Sequence, residues 1–177
     1  MGNHDYKDLK FTNLENQQKF FDYMNSYPYS HFIINNFNFI FWSSDNHNID
    51  ESAIEDYTWI KSTLEKARKN IHRKGDPIFV FTHIPPMKTV YGSENIWGHK
   101  GIFNILKDYP EVICISGHSH YSLKNIKSIW QGEFTVINTQ SLSYLDLEDC
   151  DINSKNVRIY STKNNDSRDL IAFLISF

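Results

Sequence analysis

The chain has 177 residues, 40% hydrophobic and 22% charged, which fits one domain with a buried core. A net charge of -3, a pI near 6.2 and no basic run argue against a nucleic-acid-coating surface. No apolar stretch approaches the length of a membrane span, and no signal peptide is visible. The compartment is left open, with a cytoplasmic setting favoured, because any targeting signal would lie upstream of the first motif.

Residues 2–5 read Gly-Asn-His-Asp at the very start of the chain. A polar cluster of this kind normally hangs from the end of a core strand. Asn3 can offer a carbonyl oxygen to a cation. His4 beside Asp5 suggests an imidazole oriented by a carboxylate, suited to a developing charge or a leaving group. Asn13 to Ser26 reads as a helix with Leu14, Phe21 and Met24 toward one side. Two β-prone runs follow, residues 30–34 and 37–42, joined by Asn35-Asn36. That spacing predicts a hairpin. Asp45 to Asp50 reads as a polar loop.

Ser52 to Lys74 is the clearest helix in the sequence. Ser52 and Glu55 have capping-box spacing. Tyr57, Ile60, Leu64, Ala67 and Ile71 recur at threes and fours, which draws one apolar stripe. Lys66, Arg68, Lys69, Arg73 and Lys74 put positive charge on the final turns, as the helix dipole favours, and Gly75 is read as the stop. Ile78 to Thr82 then reads as a strand buried on both faces, and it runs directly into His83-Ile84-Pro85-Pro86.

Ile102 to Tyr109 reads as a short helix closed by Pro110. Val112 to Ser116 is a second buried strand, ending on Gly117-His118-Ser119-His120. From there the pattern is all-β, with strands expected at 122–130, 133–138, 157–161 and 170–177 and an acidic connection at 146–156. Cys114, within an apolar run, reads as a small buried hydrophobe, and Cys150 as an acidic-loop residue. Neither a disulfide nor a Cys ligand is expected. Helices alternating with strands, then several strands, imply an α/β sandwich with a mixed sheet.

Two buried strands that end directly on histidines are hard to explain by packing. In α/β folds the loops beyond strand C-termini are where sites are built. In an extended chain His118 and His120 would point the same way, roughly 7 Å apart between Cα atoms. Gly117 would allow a sharp turn, and Pro85 and Pro86 would fix the chain after His83. His31 and His72 read as surface or packing residues. His99 lies in a loop with Gly92, Ser93 and Asn95 that could contact a substrate. Tyr91 and Trp97 read as core cover, and Lys88 as an ordinary exposed lysine.

The ordered trio Gly-Asn-His-Asp, His83 and Gly-His-x-His resembles the calcineurin-like metallophosphoesterase superfamily. Trp59, the Pro-Pro after His83 and the run Ile137 to Ser143 are similar to that family too. The resemblance implies an α/β fold, the four-layer αββα sandwich with mixed sheets, here incomplete. It implies that Asn3, His83 and His118 are ligands of the second metal and His120 a ligand of the first. His4 would be the general acid or transition-state stabiliser, held by Asp5. The family chemistry is hydrolysis of phosphate mono- or diesters by two metals about 3.5–4 Å apart, with a metal-held hydroxide as nucleophile. Histidine and Asn ligands admit Mn, Fe, Zn or Co.

The family's Asp-x-His and Gly-Asp-x-x-Asp motifs do not occur upstream of Gly2. The expectation is therefore a single phosphoesterase domain over 1–177, truncated at its N-terminus, with Met1 an internal methionine. Two alternatives stand beside it. One is an inactive remnant that binds a single metal. The other is one half of a split phosphoesterase, completed by a separately encoded N-terminal piece. The expected partner in the site is a phosphoester substrate of unspecified class.

Overall fold

A computed structural model describes residues 2, 5, 10–25, 27, 29–43, 54–94 and 97–141. Among these residues it holds a six-stranded mixed sheet and three helices. The order along the chain is α1 (Asn13–Met24), β1 (Tyr29–Ile34), β2 (Phe37–Trp42), α2 (Ile54–Lys69), β3 (Ile78–Thr82), α3 (Lys100–Leu106), β4 (Val112–Ser116), β5 (Ile129–Gln131) and β6 (Thr135–Asn138). The expected polar loop at 45–50, the capping box at Ser52, Cys150, the acidic connection and the two expected C-terminal strands lie outside the described residues. No helix among the described residues is long and apolar enough to cross a membrane.

The strands lie in the order β1-β2-β3-β4-β6-β5. β2, β3, β4 and β6 run parallel, and β1 and β5 pair antiparallel at the two edges. The hairpin expected about Asn35-Asn36 forms, with both residues at positive φ (51° and 70°). Asparagine tolerates that conformation, and such a turn matches the right-handed twist of the strands it joins.

One face of the sheet carries the core. Ile40 and Trp42 of β2, Ile78 and Val80 of β3, Val112 and Cys114 of β4 and Val136 of β6 are buried against Ile60, Leu64 and Ala67 of α2 and Ile102, Ile105 and Leu106 of α3. The stripe on α2 is thus the one its spacing predicts. Burial pushes the Cys114 thiol well above its ordinary pKa, as a small buried hydrophobe requires.

The opposite face departs from the sequence reading. β3 and β4 are not buried on both faces: Ile78, Val80, Val112 and Cys114 are buried, whereas Phe79, Phe81, Ile113 and Ile115 are half-buried. Phe39 stacks on Phe79 at 5.0 Å and Phe41 on Phe81 at 4.5 Å between ring centroids. This aromatic ladder supplies the apolar residues that made the strands read as doubly buried. Phe41 and Phe32 at its β1–β2 end are exposed.

Three further expectations shift. In α1 only Phe21 of the three apolar residues is buried, while Leu14 and Met24 are exposed and Asn16 and Gln17 turn inward. A helix with so few apolar positions has no continuous stripe to fix its rotation. α2 ends at Lys69, well before Gly75. Asn70 donates to both Lys66 and Ala67 carbonyls, and the Asp76 carboxylate accepts from the Arg73 amide, so the chain after the helix is a side-chain-capped turn. Arg68 on the last turn instead reaches across to Glu111 (Nε–Oε1 2.5 Å), which holds its pKa above the ordinary arginine value.

The strand expected over 122–130 forms only at its end, as β5. Asn125 accepts from the Lys127 amide, Ser122 Oγ from the Lys124 amide, and Ser128 donates to the Leu123 carbonyl. These local bonds replace a strand ladder with a single 3-10 turn, Ile126–Ser128.

Candidate functional site

The parallel register sets the site. Thr82 of β3 pairs with Ser116 of β4, so His83 and Gly117 emerge side by side at the C-terminal ends of two central strands. The Gly117 amide donates to the His83 carbonyl at 3.0 Å, which extends the pairing one step past the strands. β6 adds a brace from the other side. Thr139 donates to the Ser116 carbonyl through its amide (2.7 Å) and its hydroxyl (3.0 Å), and Asn138 Nδ2 donates to the Tyr121 carbonyl (3.1 Å).

Within this frame the two histidines meet. Nδ1 of His118 lies 3.2 Å from Nε2 of His83, with the ring planes at 73°. His118 is buried and His83 half-buried. Two imidazole nitrogens facing each other at this distance have two chemical readings. One ring can donate a proton to the other. Alternatively both lone pairs can face a cation: at a zinc–nitrogen distance of about 2.0–2.1 Å, tetrahedral ligands sit about 3.3 Å apart. The spacing fits a shared ion without movement of either ring.

The expected extended His-x-His segment is not what forms. His118 and His120 both take positive φ, 70° and 57°. For non-glycine residues this is an uncommon and costly conformation, of a kind that clusters at functional sites. Gly117, expected to make the turn, is not among the residues of positive φ, so the turn is made by the histidines themselves. The brace from Asn138 and Thr139 holds it. Ser116 Oγ, Ser119 Oγ and Asn138 Oδ1 are buried around the turn with no hydrogen-bond partner among the described residues, so the lining keeps polar capacity to spare.

Gly2 reaches the same place. A Cβ on Gly2 would come within 2.6–2.8 Å of three atoms of the His83 ring, so only glycine lets the backbone lie this close. The Asp5 carboxylate accepts from the Gly2 amide (2.7 Å), and the Asp5 amide donates to the Gly2 carbonyl (3.0 Å). Asp5 thereby closes a one-turn loop. Asn3 and His4, the residues between them in sequence, lie outside the described residues. His120, two residues beyond His118, is half-exposed. Among the described residues no group of three or more His, Cys, Asp or Glu is gathered closely enough to hold an ion.

His99 is a correction to the sequence reading. It is not a substrate contact: at 1% exposure it is a core residue, its Nδ1 accepting from the Ile102 amide as the N-cap of α3. Its ring packs edge-on against Trp42 and Tyr57. Trp97 moves the other way. Expected as core cover, it is 53% exposed and leans on His118, ring centroids 5.1 Å apart. Asn138 and Thr139 had no role assigned from sequence. Their signal was the polar pair directly after an apolar strand, the same signal that picked out His83 and His118.

Paired imidazoles at the C-terminal ends of parallel strands, with a glycine-led acidic turn over one of them, define a metal-type hydrolase site rather than a packing cluster. A family model for calcineurin-like phosphoesterases matches residues 1–122, and the chain belongs to that family. Membership points to metal-dependent phosphoester hydrolysis. No curated protein matches the chain. Among solved structures it is similar to GAP50, the anchor in the inner membrane complex of Plasmodium, at 17% identity and a TM-score of 0.39. That similarity covers 68% of this chain and 40% of the other.

Proposed function

We propose that the chain holds a divalent cation on His83 and His118 and hydrolyses phosphate mono- or diesters there. The facing of the two ring nitrogens at 3.2 Å carries the proposal, because it matches the spacing of two ligands on one ion. Asn3, next in sequence to the glycine that touches His83, is the proposed third ligand, and His120 is proposed for a second ion. A bound cation would supply charge to polarise the phosphoryl group and to acidify a water. The chain's own groups do the rest. Asp5 closes the loop that carries His4, and His4 is proposed to hold a proton for the departing oxygen. The Asn138–Thr139 brace keeps His118 in its strained conformation, so little reorganisation is needed when the site loads.

A one-ion reading has an observation of its own: the described residues bring together two histidines, enough for one ion and not two. Under that reading a single cation binds and turnover is negligible. Hydrolysis of p-nitrophenyl phosphate by the purified chain with Mn²⁺, together with the number of ions bound, tests both. Turnover that His118→Asn abolishes supports hydrolysis. One bound ion with no turnover supports the one-ion reading, and turnover unchanged in His118→Asn contradicts both. Restored activity on co-expression with a family N-terminal piece would point to a split enzyme.

A further inference from the structure

We infer that Trp97 is a stacking platform beside the histidine pair, and that the site therefore selects phosphoesters whose esterified group carries a planar aromatic ring. The inference rests on the phosphoester reading above and names a substrate class for it. The starting point is an anomaly of burial. Trp97 exposes 53% of its surface while its ring leans on His118, which is itself only 7% exposed. A tryptophan that merely sealed the histidine would itself be covered. This one touches the site along one side and offers the rest of its indole to solvent.

The loop that carries Trp97 is tied down at both ends. The His99 amide donates to the Pro85 carbonyl (2.8 Å) and the Met87 amide to the His99 carbonyl (3.3 Å), so the residues around Trp97 are strapped to the segment that follows His83. A Cβ on Gly98 would overlap the Ser93 carbonyl oxygen and come 2.5 Å from Met87 Cα, so the chain immediately after Trp97 has no room to shift. Ser93 is fully buried, with its hydroxyl donating to Val90 and accepting from the Thr89 amide. His99 is locked as the cap of α3. The indole is therefore presented by fixed backbone, and the ordering that stacking requires is largely done before a ligand arrives.

The distances suit a ligand that spans both features. A cation held by His118 would lie within a few ångströms of that ring, and a phosphate on the cation would lie beside the indole. An aromatic group one or a few bonds from the phosphate then falls on the exposed face of Trp97. Stacking of a base or aryl ring on an aromatic side chain gives a gain of about tenfold in affinity at the low end. An alkyl phosphate of similar charge gains none of it.

The test is calorimetric binding of phenyl phosphate, adenosine 5′-monophosphate, glycerol phosphate and inorganic phosphate to the full chain in Mn²⁺. The inference expects at least one of the two aromatic esters to bind about tenfold more tightly than glycerol phosphate. A gain confined to phenyl phosphate identifies aryl esters, and one confined to the nucleotide identifies nucleosides. Trp97→Leu, at an exposed position, should erase the gain and leave inorganic phosphate unchanged, and Trp97→Phe should keep part of it. Equal binding of all esters overturns the inference and leaves the phosphoester reading standing. So does a Trp97→Leu variant that weakens Mn²⁺ and every phosphate alike, since Trp97 would then only shield His118. If no phosphate binds, inorganic phosphate included, the phosphoester reading itself fails.

Discussion

His118 and His83, 35 residues apart in sequence, face each other through Nδ1 and Nε2 at 3.2 Å. Nothing local brings them together. They meet because Thr82 and Ser116 are paired at the ends of neighbouring parallel strands, and each strand is followed at once by its histidine segment. The sheet register is thus the device that builds the site, and it can be perturbed from either side.

Gly2 offers the narrowest perturbation. Its substitution by alanine places a methyl group 2.6–2.8 Å from the His83 ring, so the ring or the loop must move. Overpacking of this kind costs about 1–3 kcal/mol. Because Gly2 lies on a loop and not in the core, the cost should fall on the site. Gly2→Ala should weaken metal binding by about tenfold in a titration, while the thermal midpoint stays close to that of the parent.

His99 should behave in the opposite way. It caps α3 and fills a buried position against Trp42 and Tyr57. His99→Ala removes both the cap and the packing, for a loss of about 2–4 kcal/mol in denaturant unfolding. His99→Asn should recover part of the cap. In the folded fraction of either variant, metal affinity should be unchanged, which separates this histidine from His83 and His118.

Tyr109 carries a pH dependence. Burial, followed by its hydrogen bond to Glu65 (2.7 Å), pushes the phenol up to about 12 from an ordinary 10. The raised value means the folded state favours the neutral phenol. The associated stability is complete below about pH 10 and is lost as pH rises through about 12, a span worth about 2–3 kcal/mol. Denaturant unfolding across pH 9–12 should show this loss in the parent and not in Tyr109→Phe.

How far the sequence reaches depends on the kind of force involved. Elements fixed by local signals were legible. The Asn35-Asn36 hairpin and the stripe on α2 form as their spacing demands, because turn chemistry and side-chain period act within a few residues. The candidate site was legible for a related reason: polar residues placed directly after apolar strands have few other uses. Exposure was less legible. Phe79 and Phe81 make β3 read as doubly buried, although alternation leaves them on a half-covered face. His99 and Trp97 exchange their expected places because loop closure, made by the Pro85–His99 and Met87–His99 bonds, has no periodicity to read. The positive φ of His118 and His120 is likewise set by the brace from β6, a contact between distant parts of the chain.

The most direct test of the account is a titration of the purified chain with Mn²⁺ and Zn²⁺ by calorimetry, alongside His83→Ala and His118→Ala. The two histidines are predicted to act as one unit, so either substitution alone should weaken binding at least about tenfold and the double variant should lose little more. Parent and variants binding alike would show that the facing nitrogens form only a hydrogen bond, and the proposed metal site would be wrong.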